Sequence, residues 1–417
     1  MAVENRYEKS LSLFRRAESL IPGGHHLSGR PLLPPGRAPH YMVRGRGARV
    51  WDADGHEYID YILAFGPFLL GYAHPEVDAA AMAQIANGHL LSLNHPLHVR
   101  FVERVVSRFP GAEMGTFFKT GSEATTAALR IARRYTGRRR VARAGYHGWH
   151  DWCLPQEDFV PLGLESQVLE FKASEPATLE ALFDEHAGEI AAVILAPEMV
   201  LPPVRSTFAR IRDVAHRGGA VLVMDEVKTG LRIAPGSVQE RLGVAADLTT
   251  ASKALGNGWP VAALVGRRDV MKAGAGMHLS ATYHGDTAAM AAALAVLDVL
   301  DRRSSFDVQA HVWRLGERLI GGLNGLAARH GVLAEAFGEP YPPMPFLRFT
   351  YADPAVNDAA RDAFFATSFA RGILLHPRHL WFVSAAHTDA DMDRTLSVCD
   401  EAMACAREAA TAREAAR

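Results

Sequence analysis

Three residue types in the 417-residue chain could do covalent chemistry together: a lysine, an aspartate and a loop of small hydroxyl residues. Lys253 sits in Leu248-Thr249-Thr250-Ala251-Ser252-Lys253-Ala254-Leu255-Gly256-Asn257-Gly258-Trp259-Pro260, where a β-branched run breaks into a glycine-rich loop. The apolar run 261–265 follows at once. A lysine at such a junction is drawn out of bulk water, and desolvation favours its neutral amine. A neutral amine can attack a carbonyl and form a Schiff base. The plainer reading is a surface lysine on a tight turn.

Asp225 closes the unbroken apolar run Ala220-Val221-Leu222-Val223-Met224 and precedes Glu226-Val227. That pattern predicts a strand buried on both faces, with the aspartate at its end. The carboxylate could ligate a metal, cap a helix or partner a protonated ring nitrogen. Val227, two residues on, points the same way along extended chain and can pack beneath a ring. Met114 to Lys119 reads as a strand that Thr120-Gly121-Ser122-Glu123 turns into a helix to Tyr135. The N–H groups at that helix start, with two hydroxyls beside them, make an anion site suited to phosphate. Tyr146-His147-Gly148-Trp149-His150 then places aromatic rings after the next strand. Phosphate cradle, aromatic plate, aspartate and Schiff-base lysine are together what pyridoxal phosphate requires.

In that order these residues resemble the class III aminotransferases of the type I pyridoxal-phosphate fold, and within them the branch around glutamate-1-semialdehyde aminomutase. The resemblance runs from Ile21-Pro22-Gly23-Gly24 through Tyr58-Ile59-Asp60-Tyr61, Phe65-Gly66-Pro67 and Leu70-Gly71-Tyr72-Ala73-His74-Pro75-Glu76-Val77. It continues through Asp225-Glu226-Val227-Lys228-Thr229-Gly230 and Ser252-Lys253 to Ala386-His387-Thr388. It implies that Lys253 and Asp225 are catalytic and that Gly121, Ser122, Tyr146, His147, Asp225, Val227, Lys253 and Thr282 bind the cofactor. Thr282 matches a threonine that reaches the phosphate of the neighbouring subunit, which implies a homodimer with shared sites. Around it, Tyr283-His284-Gly285-Asp286-Thr287 stands where the family often has Ser-Gly-Asn-Pro. Arg30, in register from Pro22-Gly23-Gly24, matches an arginine that grips a substrate carboxylate; its alternative is a loop arginine paired to a surface acid. Phe65 and Trp381 fall on the substrate side.

Three departures favour an aminotransferase over an aminomutase. Ala196-Pro197-Glu198 replaces an acid-proline pair, the segment between Asp151 and Phe171 is short, and His376 to Val383 lacks the acidic residue of the aminomutases. The expected reaction moves an amino group from an amino-acid donor to the aldehyde or ketone of a small metabolite. Trp381, His379 and Tyr72 suit a ring-shaped acceptor such as an amino-sugar aldehyde. An aminomutase or an epimerase remains an alternative. A metal-dependent hydrolase built on His147, His150 and Asp151 with His25, His26 and His74 is a remote one, because thiolate ligands are missing and the spacing is not a fixed ligand pattern.

Around these residues, strands near Phe117, Val141, Ala191 to Leu195, Ala220 to Met224, Leu248 and Val261 to Val265 alternate with helices. Such alternation predicts an α/β fold with a mostly parallel sheet covered on both faces, and ligands bind where loops leave its edge. Residues 1–75 supply a helix, a loop and a hairpin around Asp54-Gly55; 76–300 form the large cofactor-binding domain; 301–417 form a small α+β domain. The helix from about Thr287 to Leu300 is expected to link the last two. Alanine and charge from Ala404 on suggest a fraying helix end.

A composition of 48% hydrophobic and 22% charged residues with net charge −1 is globular and gives no reason to expect nucleic acid or an anionic membrane as partner. Three scattered cysteines fit a reducing compartment. With no apolar signal core and no run long enough to cross a bilayer, the expected location is the cytoplasm.

Overall fold

The computed structural model describes residues 6–26, 31–153, 167–200, 205–338 and 341–416. The chain divides into two compact units, 75–309 and a second formed by 1–74 with 310–417. The second division falls inside the helix Val308–His330 rather than after residue 300. Thr287–Asp301 is not a link: ten of its residues are buried, and it packs on the helices Pro75–Ala86 and Pro96–Val106 of the large unit.

The large unit is built on a seven-stranded sheet. Its spatial order is Met114–Phe118, Ala262–Gly266, Leu248–Ala251, Val221–Asp225, Ile190–Leu195, Arg140–Ala144 and Val168–Glu170. Every residue of Ile190–Leu195 and of Val221–Asp225 is buried, as strands covered on both faces must be. The pairings from Leu248–Ala251 to Val168–Glu170 are parallel, whereas Ala262–Gly266 runs antiparallel to both neighbours. Residues 252–261 are therefore a direct return between adjacent strands. The helix Gly121–Thr136 buries Ala124, Ala127, Ala128, Leu129, Ile131 and Ala132 against the sheet; small residues there let it lie close. A capping box holds its start, Glu123 N–H donating to Thr120 Oγ1 and Thr120 N–H to Glu123 Oε2 at 2.8 Å, which satisfies two otherwise orphaned donors.

In the second unit a four-stranded sheet runs Met42–Arg46, Arg49–Asp52, Glu57–Asp60 and Ile373–Leu374. The Asp54-Gly55 turn does more than join two strands. Asp54 accepts the N–H groups of Lys9 and Ser10 at 2.7 and 3.0 Å, tying the start of the helix Glu8–Glu18 to the hairpin. The helix Asp389–Ala415 does not stop near Ala404. Ala406 and Ala410 are buried, so its last turns are held by packing. Among the described residues no helix is long and apolar enough to cross a membrane.

Candidate active site

Asp225 ends a buried strand, and its carboxylate is almost fully enclosed. Oδ2 accepts from His147 Nδ1 at 2.7 Å, while Oδ1 accepts from the Val227 N–H and the Thr250 hydroxyl, each at 3.1 Å. Thr250 can do this because it is the register partner of Asp225 on the next strand. Burial pushes the carboxyl pKa up, but the His147 bond and charge, the Val227 N–H and the Lys228 charge outweigh it, and the net direction is down. The group is an anion. A carboxylate offers roughly four acceptor positions; three are filled, and one remains for a donor brought by a ligand.

His147 is buried and does not act as a free stacking ring. Its Nδ1 is committed to Asp225, its carbonyl accepts from Thr125 Oγ1 at 2.7 Å, and its ring lies parallel to Trp152 with centroids 6.1 Å apart. Its role is to orient Asp225. The same segment is stapled to the helix Gly121–Thr136 twice more: His150 Nδ1 lies 2.7 Å from Thr126 Oγ1, and Trp152 Nε1 donates to that oxygen at 2.8 Å. Among the described residues no group of three or more His, Cys, Asp or Glu side chains could hold a metal ion.

These staples bring the turn after Arg140–Ala144 onto the helix start. Gly148 has φ +118, and a Cβ there would lie 2.4 Å from Ser122 Oγ. A Cβ on Gly121 would lie 2.8 Å from Val227 Cγ2. Both glycines let the turn and the partly accessible Val227 approach the helix start, where the first N–H groups are donors that no helical carbonyl can satisfy. Tyr146 is 59% exposed, an aromatic face with little packed on it.

Lys253 opens the return between the two antiparallel strands in a left-handed conformation, φ +46, which a residue with a Cβ adopts only when its surroundings force it. Here Ser252 Oγ donates to Val261 O at 2.9 Å and closes the loop. Burial, then the Lys228 charge, lower the Lys253 pKa to about 8. About a tenth of the amine is therefore neutral at pH 7.

Seven residues named by the sequence reading lie in the large unit: Gly121, Ser122, Tyr146, His147, Asp225, Val227 and Lys253. Thr282 is exposed on a turn that His284 holds to the helix start through Glu123 Oε1, at 3.1 Å. Phe65 and Trp381 belong to the second unit. Phe65 meets His379 edge-on, centroids 5.0 Å apart. Trp381 is fully buried and donates Nε1 to His376 O at 2.7 Å, so it supports His376 and offers a ligand no surface. The Tyr72 hydroxyl donates to Asp60 at 2.7 Å. Arg30 and most of the short segment after Asp151 lie outside the described residues. The sequence reading missed Thr250 and the ion pair of Glu198 with Lys228; the hydroxyl residue immediately before Ala251-Ser252 was the available signal for the first.

The residues fit pyridoxal phosphate: a pocketed amine, an anion with one open acceptor position, and a glycine-lined helix start for phosphate. Comparison with known proteins agrees. The family described as aminotransferase class-III matches residues 34–338. A 3-aminobutyryl-CoA aminotransferase of Cloacimonas acidaminovorans is 32% identical over 413 residues, covering 97% of this chain and 99% of the relative. A glutamate-1-semialdehyde 2,1-aminomutase of Sorangium cellulosum is 36% identical over 430 residues, covering 96% and 97%. The solved FumI protein of Sphingopyxis sp. MTA144, in its PLP internal aldimine form, has a TM-score of 0.89 and 32% identity and covers 98% of both chains. The chain belongs to the class III aminotransferases, pyridoxal-phosphate enzymes of fold type I.

Proposed function

We propose that this enzyme moves an amino group from an amino-acid donor to the aldehyde or ketone carbon of a small metabolite. The observation that carries the reading is Asp225, a buried anion with one acceptor position open, set on the strand beside the one that delivers Lys253. When bound, pyridoxal phosphate supplies an electrophilic carbon for the amine and a protonated ring that accepts the electrons of the broken Cα–H bond. Lys253 would hold the cofactor's aldehyde carbon and, once freed by substrate, would move the Cα proton. Asp225 would keep the ring nitrogen protonated, with His147 fixing its carboxylate. Gly121 and Ser122 would hold the phosphate, and Tyr146 and Val227 would face the ring. Arg30 would grip a substrate carboxylate.

The acceptor class runs from an open-chain aldehyde or keto compound to an amino-sugar aldehyde. The catalytic assembly is a homodimer in which Thr282 serves the neighbouring phosphate. Three free cysteines suit work in the reducing cytoplasm. A second reading, an intramolecular exchange of the aminomutase type, is favoured by the 36% identity to such a relative.

A half-reaction screen tests this. Candidate donors, α- and β-amino acids, are added to the cofactor-loaded enzyme, and candidate acceptors (semialdehyde acids, amino-sugar aldehydes) to the aminated form. Conversion by an amino-acid donor and return by a carbonyl acceptor support transfer. Isomerisation of a single amino aldehyde without added acceptor supports the second reading and overturns the first.

A further inference from the structure

The turn that carries Thr282 is closed on itself and tied down by one imidazole. The His284 N–H donates to Ala281 O at 3.1 Å, and the Ala281 N–H donates back to His284 Nδ1 at 3.2 Å. With Nδ1 an acceptor, Nε2 carries the ring proton, and it donates to Glu123 Oε1 at 3.1 Å. Glu123 uses its other oxygen on the start of the helix Gly121–Thr136. There Oε2 accepts the N–H groups of Lys119 and Thr120 at 3.1 and 2.8 Å. Phe118 meets the imidazole edge-on, centroids 5.1 Å apart, and the His284 side chain is only 11% exposed. Outward from this anchor, Ala281, Thr282 and Tyr283 are exposed.

The far end of the turn is held separately. Asp286 caps the helix Thr287–Asp301 through the Ala288 N–H at 2.9 Å and pairs with Lys119 Nζ at 2.5 Å. Gly285 O accepts from His98 Nε2 at 3.0 Å, and Thr287 donates both its N–H and its hydroxyl to His89 O. His284 therefore sets the near end, where Thr282 sits. A serine at 284, the residue type common at this place in the family, would end at the level of the imidazole Cγ and fall short of Glu123.

We propose that His284 is a positioning residue for the neighbouring subunit's cofactor: it fixes Thr282 by bonding its turn to the phosphate-binding helix start of its own chain. The helix start for one phosphate and the turn for the other are then one bonded unit. The inference rests on Thr282 serving the neighbouring phosphate, and the test separates the two.

His284→Asn keeps an acceptor near the place of Nδ1, so the turn stays closed, but it cannot reach Glu123. His284→Gln puts an amide donor near the place of Nε2. Glu123 is 28% exposed, so water replaces the lost donor and the Asn variant folds. Affinities of the cofactor-free proteins for pyridoxal phosphate and for pyridoxal, which lacks the phosphate, are read from the visible Schiff-base band. Asn should raise the Kd for pyridoxal phosphate roughly three- to tenfold, the size of one lost hydrogen bond, and leave that for pyridoxal within about twofold. Gln should stay close to the wild type. Equal losses for both ligands with Asn, no loss for either, or a loss with Gln as large as with Asn would overturn the proposal. A tagged mixed dimer of His284→Asn with Lys253→Ala then gives the direction. Only the His284→Asn chain can form the band there, and the other chain's intact turn serves it, so its Kd should return to the wild-type value. A Kd that stays high places the effect of His284 within its own chain and overturns the proposal. Thr282→Ala is the control: if it leaves the affinity for pyridoxal phosphate unchanged, the reading of Thr282 fails instead.

Discussion

His147 Nδ1 and Asp225 Oδ2 are 2.7 Å apart although 78 residues separate them in the chain. With the carboxylate ionised, Nδ1 carries the shared proton, and the pair fixes the orientation of the open acceptor position. The imidazole is itself fixed, parallel to Trp152 and bonded through its carbonyl to Thr125. The chemistry of Asp225 therefore depends on a segment that also packs against the start of the helix Gly121–Thr136.

Replacing His147 with Phe removes that bond but keeps a planar ring. Losing one charge-assisted hydrogen bond should cost about 1.5–3 kcal/mol of transition-state stabilisation, or on the order of tenfold to a hundredfold in kcat. Steady-state kinetics on the variant, with cofactor occupancy confirmed by absorbance, checks this. An unchanged kcat at full occupancy would count against the orienting role.

Gly148→Ala places a methyl 2.4 Å from Ser122 Oγ at φ +118. Backbone strain of this kind costs about 1–3 kcal/mol, and the displaced Ser122 weakens phosphate binding. The expected result is a lower Tm and a higher Kd for pyridoxal phosphate. Gly137→Ala, also at positive φ but with open space around it, should leave the Kd unchanged.

The cofactor-free enzyme should show the pKa of Lys253 in its uptake of pyridoxal phosphate. Only the neutral amine attacks, so the rate should rise with pH around a midpoint of about 8. The folded state binds fewer protons than the unfolded chain between about 8 and the ordinary lysine value of 10.5. The protein therefore gains stability as pH rises through that window, and the penalty is fully present below it. A rate that climbs without a break to pH ~10, near the ordinary lysine pKa, would contradict the lowered value.

Some of this site is legible in sequence because its cause is local. Val221–Asp225 is buried on both faces, so it reads as one apolar run ending in an acid, and Lys253 follows at the point where β-branched residues give way to glycine. The pairs of His147 with Asp225 and of Glu198 with Lys228 are set by which strands lie side by side, and no spacing announces them. Val168–Glu170, only three residues long, has no room to show a period. Ala262–Gly266 has the same composition whether parallel or antiparallel. The C-terminal helix misled for another reason: alanine and charge look like a frayed end until Ala406 and Ala410 find a surface to pack on.

If Thr282 serves the neighbouring phosphate, subunits damaged at different places can rescue one another. Mixing Lys253→Ala with Thr282→Ala protein places one intact site and one doubly damaged site in each mixed dimer. Activity should rise on subunit exchange above the sum of the separate proteins. No rise, with exchange demonstrated by a tag, would assign Thr282 to its own chain.

The central claim is that Lys253 is the amine that holds the cofactor. Five other lysines could compete in principle, among them Lys228, three residues beyond Asp225. Reducing the cofactor-loaded enzyme with borohydride makes the bond permanent, and peptide mass spectrometry then locates it. The account predicts the phosphopyridoxyl group on Lys253, with Lys228 and Lys119 unmodified. A group found on Lys228, or on no lysine of the segment 248–260, would contradict it.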